Sequence, residues 1–489
     1  MLAVVQLMET NQQKTVVSAS PHRLWPWLVI ILAAAAALRV ACFLAAPASL
    51  SLPPDSVGYL DTARGLLEHG RFGVDVPDVN RTPGYPLFCS VGLALADWRG
   101  IIGLQIFLDC LTTVGVFCLG RSLAGGRVGL VSAGVYAASP LSVVLACQVL
   151  TETLFLAVLV PSLWLAVAVL HRPGRGGGVV ALGALSAGLL MIRPAAMVFV
   201  AAVIAAWLWR AAALTWRGRS SADETPASRD GLAATKRSED GLRWLVRAGM
   251  YVAVVSAAVL PWCVRNERAA GYFGLSGQGP VTYARDWAGL VQARVEGVSL
   301  EQARAAIWHD ILQRADAADE QAPPFDPAAM VRRRLYPAMR AEARAVLTRH
   351  AGLFAREHLS QSFLALAPPT EPLHLIGADL GEKNTRTVLS QQGVWAAIRY
   401  YFENRTDAML LYAAVALATL ALYVFAARGL WRLTRRGGWS AVAVLLTVFA
   451  AANFFAGGIA TVPRYFLPLL PLVAIAAAIG VTRVTDNRL

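Results

Sequence analysis

Apolar runs long enough to cross a lipid bilayer recur along this chain from residue 24 to residue 482. A run of ~20 apolar residues spans the hydrocarbon as a helix, because lipid offers the backbone no partner and a helix satisfies its own hydrogen bonds. About ten such spans are expected, near 24–45, 101–120, 128–147, 150–170, 178–192, 195–210, 245–263, 407–427, 439–457 and 464–482. The fold class is therefore an all-α polytopic membrane protein. With 56% hydrophobic and 15% charged residues, the composition agrees.

Charge orients the spans. A net charge of +13 would suggest nucleic acid in a soluble protein, but here it reflects Lys and Arg held in cytoplasmic loops, so no nucleic-acid partner is expected. Lys14 and Arg23 precede the first run and place the N-terminus inside. Arg39 interrupts that run, and its length suits an uncleaved first helix better than a signal peptide. The apolar stretch 84–96 is too short for a span of ~20 residues. Were it to cross, the loops carrying Arg121/Arg127, Arg172/Arg175 and 210–247 would all face outside. Lying in the interface, it puts them all inside, with both termini.

Three regions follow. Residues 1–263 form an N-terminal transmembrane module that includes a first outer loop, 46–100. Within it, 211–244 is rich in Ser, Asp, Arg and Gly and is expected to be a disordered cytoplasmic linker. Residues 264–406 form an extracytoplasmic α-rich cap, with amphipathic helices at 301–314 and 327–358. Residues 407–489 carry the last helices. No internal repeat is evident, which weakens a transporter built on inverted repeats. Cys42, Cys89, Cys110, Cys118, Cys147 and Cys263 lie in or beside apolar segments without metal-ligand spacing.

The stretch 51–86 gathers polar chemistry beside the first span. Pro53 and Pro54 stop one element, and Asp55 stands where a helix N-cap belongs. Val57, Leu60, Ala63 and Leu67 then recur at helical spacing up to Gly70, a residue suited to end a helix. Such a helix lies on the membrane, being too polar to cross it. Arg81-Thr82-Pro83-Gly84-Tyr85-Pro86 forms a rigid turn after it. Further polar residues fall at the outer ends of spans: Glu152, Arg193, Arg265-Asn266 and Arg464-Tyr465. Taken singly, Asp55 serves as a cap, Glu152 as a helix-dipole partner, and Arg193 and Arg464 as snorkelling anchors. Asp109 lies mid-span and is expected to pair structurally with Arg39.

Asp55-Ser56-x-x-Tyr59, Arg81-Thr82-Pro83-Gly84-Tyr85-Pro86, Ser139-Pro140, Thr151-Glu152-Thr153, Pro261-Trp262 with Arg265-Asn266, and Arg464-Tyr465 with Pro468 resemble bacterial family 39 glycosyltransferases of the GT-C class. Relatives of that family include protein O-mannosyltransferases and the aminoarabinose transferases acting on lipid A. The resemblance is good over about 25–275 and the last spans, and poor through the cap. It implies a GT-C-like helix bundle, a polyprenyl- or dolichyl-phosphate sugar donor, and inversion at the anomeric carbon. It places the catalytic carboxylate at Asp55 and a second functional carboxylate at Glu152. Protein O-mannosyltransferases carry an Asp-Glu pair where this chain has Asp55-Ser56, so the sugar stays open.

On that basis Asp55 is the expected base for an acceptor hydroxyl, whose own pKa is far above neutrality. Arg81, Arg193 and Arg464 are expected at the donor phosphate, where guanidinium forks suit phosphate oxygens. Tyr59, Tyr85, Asn266 and Tyr465 are expected to line the pocket. No metal or other cofactor is required, with a divalent ion optional. The partners implied are a polyprenyl-phosphate sugar, membrane lipid, and a cell-envelope glycan, lipid or protein acceptor. The expected place is the plasma (inner) membrane, with the site on the extracytoplasmic side. The competing class is a transporter or flippase for a lipid-linked sugar, which needs ionisable groups near the midplane. Arg39 and Asp109 are its support.

Overall fold

A computed structural model of the chain describes residues 24–171, 176–222, 229–317, 323–378, 392–393, 395–396, 398–403, 405–434, 440–458 and 463–482. Among these, every secondary-structure element is a helix. The first part of the bundle comprises α1 (Trp25–Ala45), α2 (Pro54–His69), α3 (Gly84–Ala124), α4 (Gly126–Ala137), α5 (Pro140–Ala146) and α6 (Glu152–His171). It continues with α7 (Gly177–Ile192), α8 (Met197–Ala222) and α9 (Arg229–Ala270). After the intervening helices come α10 (Leu300–Arg314), α11 (Tyr336–Arg349), α12 (Ala351–Ser362), α13 (Thr406–Thr434), α14 (Ala441–Ala456) and α15 (Leu470–Val481).

Helix lies at every predicted span. Seven helices among the described residues are long and apolar enough to cross a membrane, and α4 with α5, bent by 58°, adds an eighth if the pair is one span. The other two, α7 and α14, are apolar but only 16 residues each. At ~1.5 Å per residue they reach about 24 Å, short of a ~30 Å hydrocarbon layer.

The predicted short helix at 84–96 is real and distinct. Backbone at Ala96 and Asp97 leaves the helical region, Asp97 with φ 54°, and divides α3 into two arms. The arms fold back on each other so closely that a Cβ on Gly92 would sit 2.6 Å from the backbone nitrogen of Ile101. Tyr85 locks the first arm by donating to Gln105 Oε1 at 2.7 Å. Gln105 in turn donates to the carbonyls of Ala146 and Gln148.

Three expectations are corrected. Residues 211–244 do not form a disordered linker in their described part, since α8 runs to Ala222 and α9 starts at Arg229; residues 223–228 lie outside the described residues. The helix expected over 327–358 is three helices, Pro327–Arg332, α11 and α12. Arg334 takes a positive φ of 53°, which no helix continues, and Pro337 restarts the next one. The apolar stripe of α2 also splits. Leu60 and Ala63 are buried, but Val57 and Leu67 are exposed.

The largest core joins α3, α4, α6, α7, α8, α9, α14 and α15 through residues such as Leu119, Tyr136, Leu163, Phe199, Trp207 and Phe449. A second core lies in the segment after α9, around Trp308, Met330, Tyr336 and Met339. Val79 of the first loop is buried in that second core. The strap after α12 behaves differently: Leu375 packs against the cluster of Cys42, Leu50, Val144 and Cys147 in the bundle, and Leu373 shares a cluster with Ala408 of α13.

Candidate active site

Two carboxylates and two arginines from four distant parts of the chain meet beside α2. Pro53, in extended conformation, is the N-cap of α2, and Pro54 and Asp55 open its first turn. Two consecutive prolines fix that start, so Asp55 is not the N-cap that its residue type suggested. Its side chain is free for another partner. Arg464 Nη2 donates to Asp55 Oδ2 at 2.6 Å. Asp55 is 56% exposed at its side chain and Arg464 26%, so the pair lies at a wet margin.

The second pair is drier. Arg193 Nη1 meets Glu152 Oε1 at 3.0 Å, with the Glu152 side chain only 4% exposed. Thr151 Oγ1 donates to Glu152 Oε2 at 3.3 Å. Burial alone pulls the Arg193 pKa down, but Glu152, with smaller contributions from the hydroxyls of Tyr465 and Tyr59, outweighs it, and the net shift is upward. Arg193 therefore stays charged opposite the Glu152 carboxyl. Tyr465 stands between the pairs, with the Arg193 and Arg464 guanidinium carbons 5.9 and 6.0 Å from its ring centre.

Backbone contacts bring these parts together. Val149 N donates to Ser51 O at 2.9 Å, tying the entry to α6 and Glu152 to the entry of α2 and Asp55. Thr82 Oγ1 donates to Ile192 O at 3.0 Å, and Gly84 lies against the Met191 carbonyl. The turn predicted at 81–86 thus holds the end of α7, just before Arg193.

Arg81 lies over the Tyr59 ring at 5.1 Å, which places its side chain along α2. Gly58 makes that possible, because a Cβ there would fall 2.0 Å from Arg81 Nη2. Arg81 Nη1 pairs with Asp78 Oδ2 at 3.2 Å. Asp78 also accepts from Thr62 and from the backbone of Asn80 and Arg81. Tyr59 packs edge-on to Tyr85 at 4.9 Å, and burial, partly offset by Arg193, pushes its hydroxyl pKa up to about 12. Tyr59 is accordingly a neutral hydrogen-bonding wall. Tyr85 is wholly buried beneath it and supports the site from behind.

Asn266 is not brought to this cluster as a pocket residue. It is buried, its Nδ2 donates to Gly274 O and Leu275 O, and its Oδ1 accepts from Arg265. Arg265 reaches Asp78 O and Phe72 O, and Tyr336 donates to Asn80 Oδ1 at 2.9 Å. These residues fasten the first loop to the segment that follows α9. Gly58, Asp78 and Tyr336 were not foreseen from sequence. For Gly58 the signal was present, a glycine in mid-helix four residues from a turn of proline.

Mid-bundle, Arg39 Nε and Asp109 Oδ2 are 2.5 Å apart, and Tyr136 donates to Asp109 Oδ1 at 2.6 Å. Arg39 also donates to the Ala35 and Ala137 carbonyls and to Ser142 Oγ. Both members are buried and well partnered, the structural role expected of them. Among the described residues, no three His, Cys, Asp or Glu side chains are placed to hold a metal ion.

Residues 80–220 match the model of the dolichyl-phosphate-mannose-protein mannosyltransferase family, a segment that contains Arg81, Glu152 and Arg193 but neither Asp55 nor Arg464. The glycosyltransferase resemblance of the sequence is thus found again, over that segment. No curated protein matches the chain. Among solved structures it is similar to the oligosaccharyltransferase AglB of Archaeoglobus fulgidus in complex with an inhibitory peptide and a dolichol-phosphate. There the identity is 14% and the TM-score 0.45, over 93% of this chain and 50% of that one. It is also similar to ArnT of Cupriavidus metallidurans bound to undecaprenyl phosphate, at 14% identity and TM-score 0.35, over 91% of this chain and 78% of that one. The chain spans about half the length of the archaeal oligosaccharyltransferase structures it matches.

Proposed function

We propose that this membrane protein is an inverting glycosyltransferase. It moves a hexosyl or pentosyl group from a polyprenyl-phosphate donor to an acceptor hydroxyl at the outer face of the inner membrane. The observation that carries this reading is the Asp55–Arg464 pair beside the Glu152–Arg193 pair. A phosphoryl leaving group needs fixed positive charge, and a hydroxyl nucleophile needs a base within hydrogen-bond reach. Both are present at one margin of the bundle. The matched family, whose description names a dolichyl-phosphate sugar, supports the donor class.

In the reaction, the donor phosphate competes for the Arg464 guanidinium and frees the Asp55 carboxylate. Asp55 takes the proton of the acceptor hydroxyl as its oxygen attacks the anomeric carbon. The bond from that carbon to the phosphate oxygen breaks on the opposite face, which inverts the anomeric centre. Arg464 and Arg193 stabilise the released lipid phosphate, and Arg81, stacked on Tyr59, adds positive charge beside them. Glu152 keeps Arg193 charged and aimed. No step needs a metal ion, although one is allowed.

The test incubates the full-length protein in nanodiscs with a polyprenyl-phosphate sugar and acceptor membranes. Expected are free polyprenyl phosphate and a product of inverted anomeric configuration. Movement of the intact donor between leaflets with no covalent product would replace this reading with transport.

A further inference from the structure

Glu371 opens the short helix Glu371–Ile376 in the strap that returns from α12 to the bundle. Ahead of it, Phe363–Leu366 packs on the Pro463–Leu469 turn that carries Arg464. An apolar cavity of about 180 Å³ lies nearby, lined by Ser139, Ala367, Tyr423, and by Pro369 and Phe466, which stand two residues from Glu371 and from Arg464. The Glu371 carboxyl falls within electrostatic reach of Arg464, His374 and Glu152.

Among the described residues, two polar atoms in this corner are buried without a hydrogen-bond partner: Glu371 Oε2 and Arg464 Nε. One accepts and the other donates. An orphaned carboxylate oxygen and guanidinium N–H are costly in a folded protein, and their natural complement is a single group that offers both functions. A phosphate oxygen accepts from Nε–H but repels the carboxylate. A hydroxyl accepts from the one and donates to the other.

Resting on the glycosyltransferase reading, we propose that Glu371 and the Arg464 Nε–H form a hydroxyl subsite that recognises a substrate sugar, apart from the phosphate contacts. The Asp55 side of Arg464 faces the reacting bond, while the Nε–H side holds the hydroxyl. Burial raises the Glu371 pKa, with Arg464 and His374 only partly opposing it, as expected for a carboxyl waiting for a donor. Glu371 is here a specificity-determining residue and takes no part in bond making.

The experiment compares wild type with Glu371→Gln in nanodiscs. It measures affinity for polyprenyl phosphate alone and for the same lipid carrying mannose, glucose or arabinose. Wild type is expected to hold at least one sugar-bearing lipid more tightly than the bare lipid. Glu371→Gln is expected to keep its affinity for the bare lipid, which also reports that it has folded, and to lose about tenfold or more for the sugar-bearing one. If the donor arm is unchanged but KM for an acceptor membrane fraction rises about tenfold, the hydroxyl belongs to the acceptor and the subsite stands. An unchanged donor preference together with an unchanged acceptor KM overturns the proposal, as does a wild type that ignores the sugar. A wild type that binds no polyprenyl phosphate at all overturns the underlying reading, and this inference with it.

Discussion

Asp55 and Arg464, separated by 409 positions in the chain, are joined by a 2.6 Å hydrogen bond from a guanidinium to a carboxylate. Helix capping does not explain the pairing, although Asp55 does lie in the first turn of α2, where an acid is favoured. Pro53 supplies the cap of α2, and Arg464 precedes the helix α15 instead of stabilising its end. The pair therefore links the two ends of the described bundle through chemistry alone.

That separation makes Asp55→Asn a clean test. Asn keeps the shape and leaves the cap of α2 untouched, so the melting temperature should stay within a few degrees of wild type. It cannot take a proton, so sugar transfer should fall by a factor on the order of 10²–10⁴. Turnover and thermal unfolding measured on one preparation decide it. Near-native turnover would remove Asp55 as the base.

The drier pair behaves in the opposite way. Arg193→Met strands Glu152 as an uncompensated buried charge, a change that costs on the order of 3–5 kcal/mol. The expected result is a marked loss of folded protein in detergent. Adding Glu152→Gln should recover much of the folded fraction but none of the activity. Recovery of both would reduce the pair to a structural device.

Gly58→Ala probes Arg81 indirectly. The new methyl occupies the place of the guanidinium and drives Arg81 off α2. Alanine favours helix over glycine, so stability should hold or rise slightly. Meanwhile kcat/KM should drop roughly as far as in Arg81→Ala, and the double variant should be no worse than either single one. Additive losses would show that the two positions act separately.

Glu371 yields a pH signature. Burial lifts its folded-state pKa above the ordinary glutamate range, so the folded protein holds this proton longer than the unfolded chain. Stability from this group is then lost as pH rises from the ordinary glutamate value through the raised one. Gln carries no such penalty. Glu371→Gln should melt higher than wild type, with a gain that widens from acid to neutral pH and then levels off. A gain independent of pH would count against the buried charge.

Sequence made the spans legible because each must carry its own run of apolar side chains, whatever its neighbours do. The break near Ala96 was legible for a different reason: charge in the later loops balances only if 84–96 does not cross. Ion-pair partners left no such trace. Nothing near Asp55 points to Arg464, and nothing near Glu152 points to Arg193, since pairing is decided when distant helices pack. Glu371 stands among Pro368, Pro369 and Pro372, where nothing points to Arg464, and its approach to that residue is decided when the strap packs on the bundle. Asn266 and Tyr85 were expected to line the pocket, but Asn266 is held by Arg265 and the Gly274 and Leu275 carbonyls, and Tyr85 is buried behind Tyr59. The break at Arg334 was hidden because an amphipathic pattern continues across a single left-handed residue.

The difference in exposure between the two ion pairs matches the order in which a ribosome makes them. At ~5–20 residues per second, Arg193 follows Glu152 within a few seconds, whereas Arg464 follows Asp55 only after a time on the order of tens of seconds. The carboxylate that cannot tolerate isolation receives its partner almost at once. The one that must wait lies where water can solvate it. Until Arg464 is delivered the growing chain holds a carboxylate without its guanidinium, so the cluster beside α2 is complete only once the Pro463–Leu469 turn is in place.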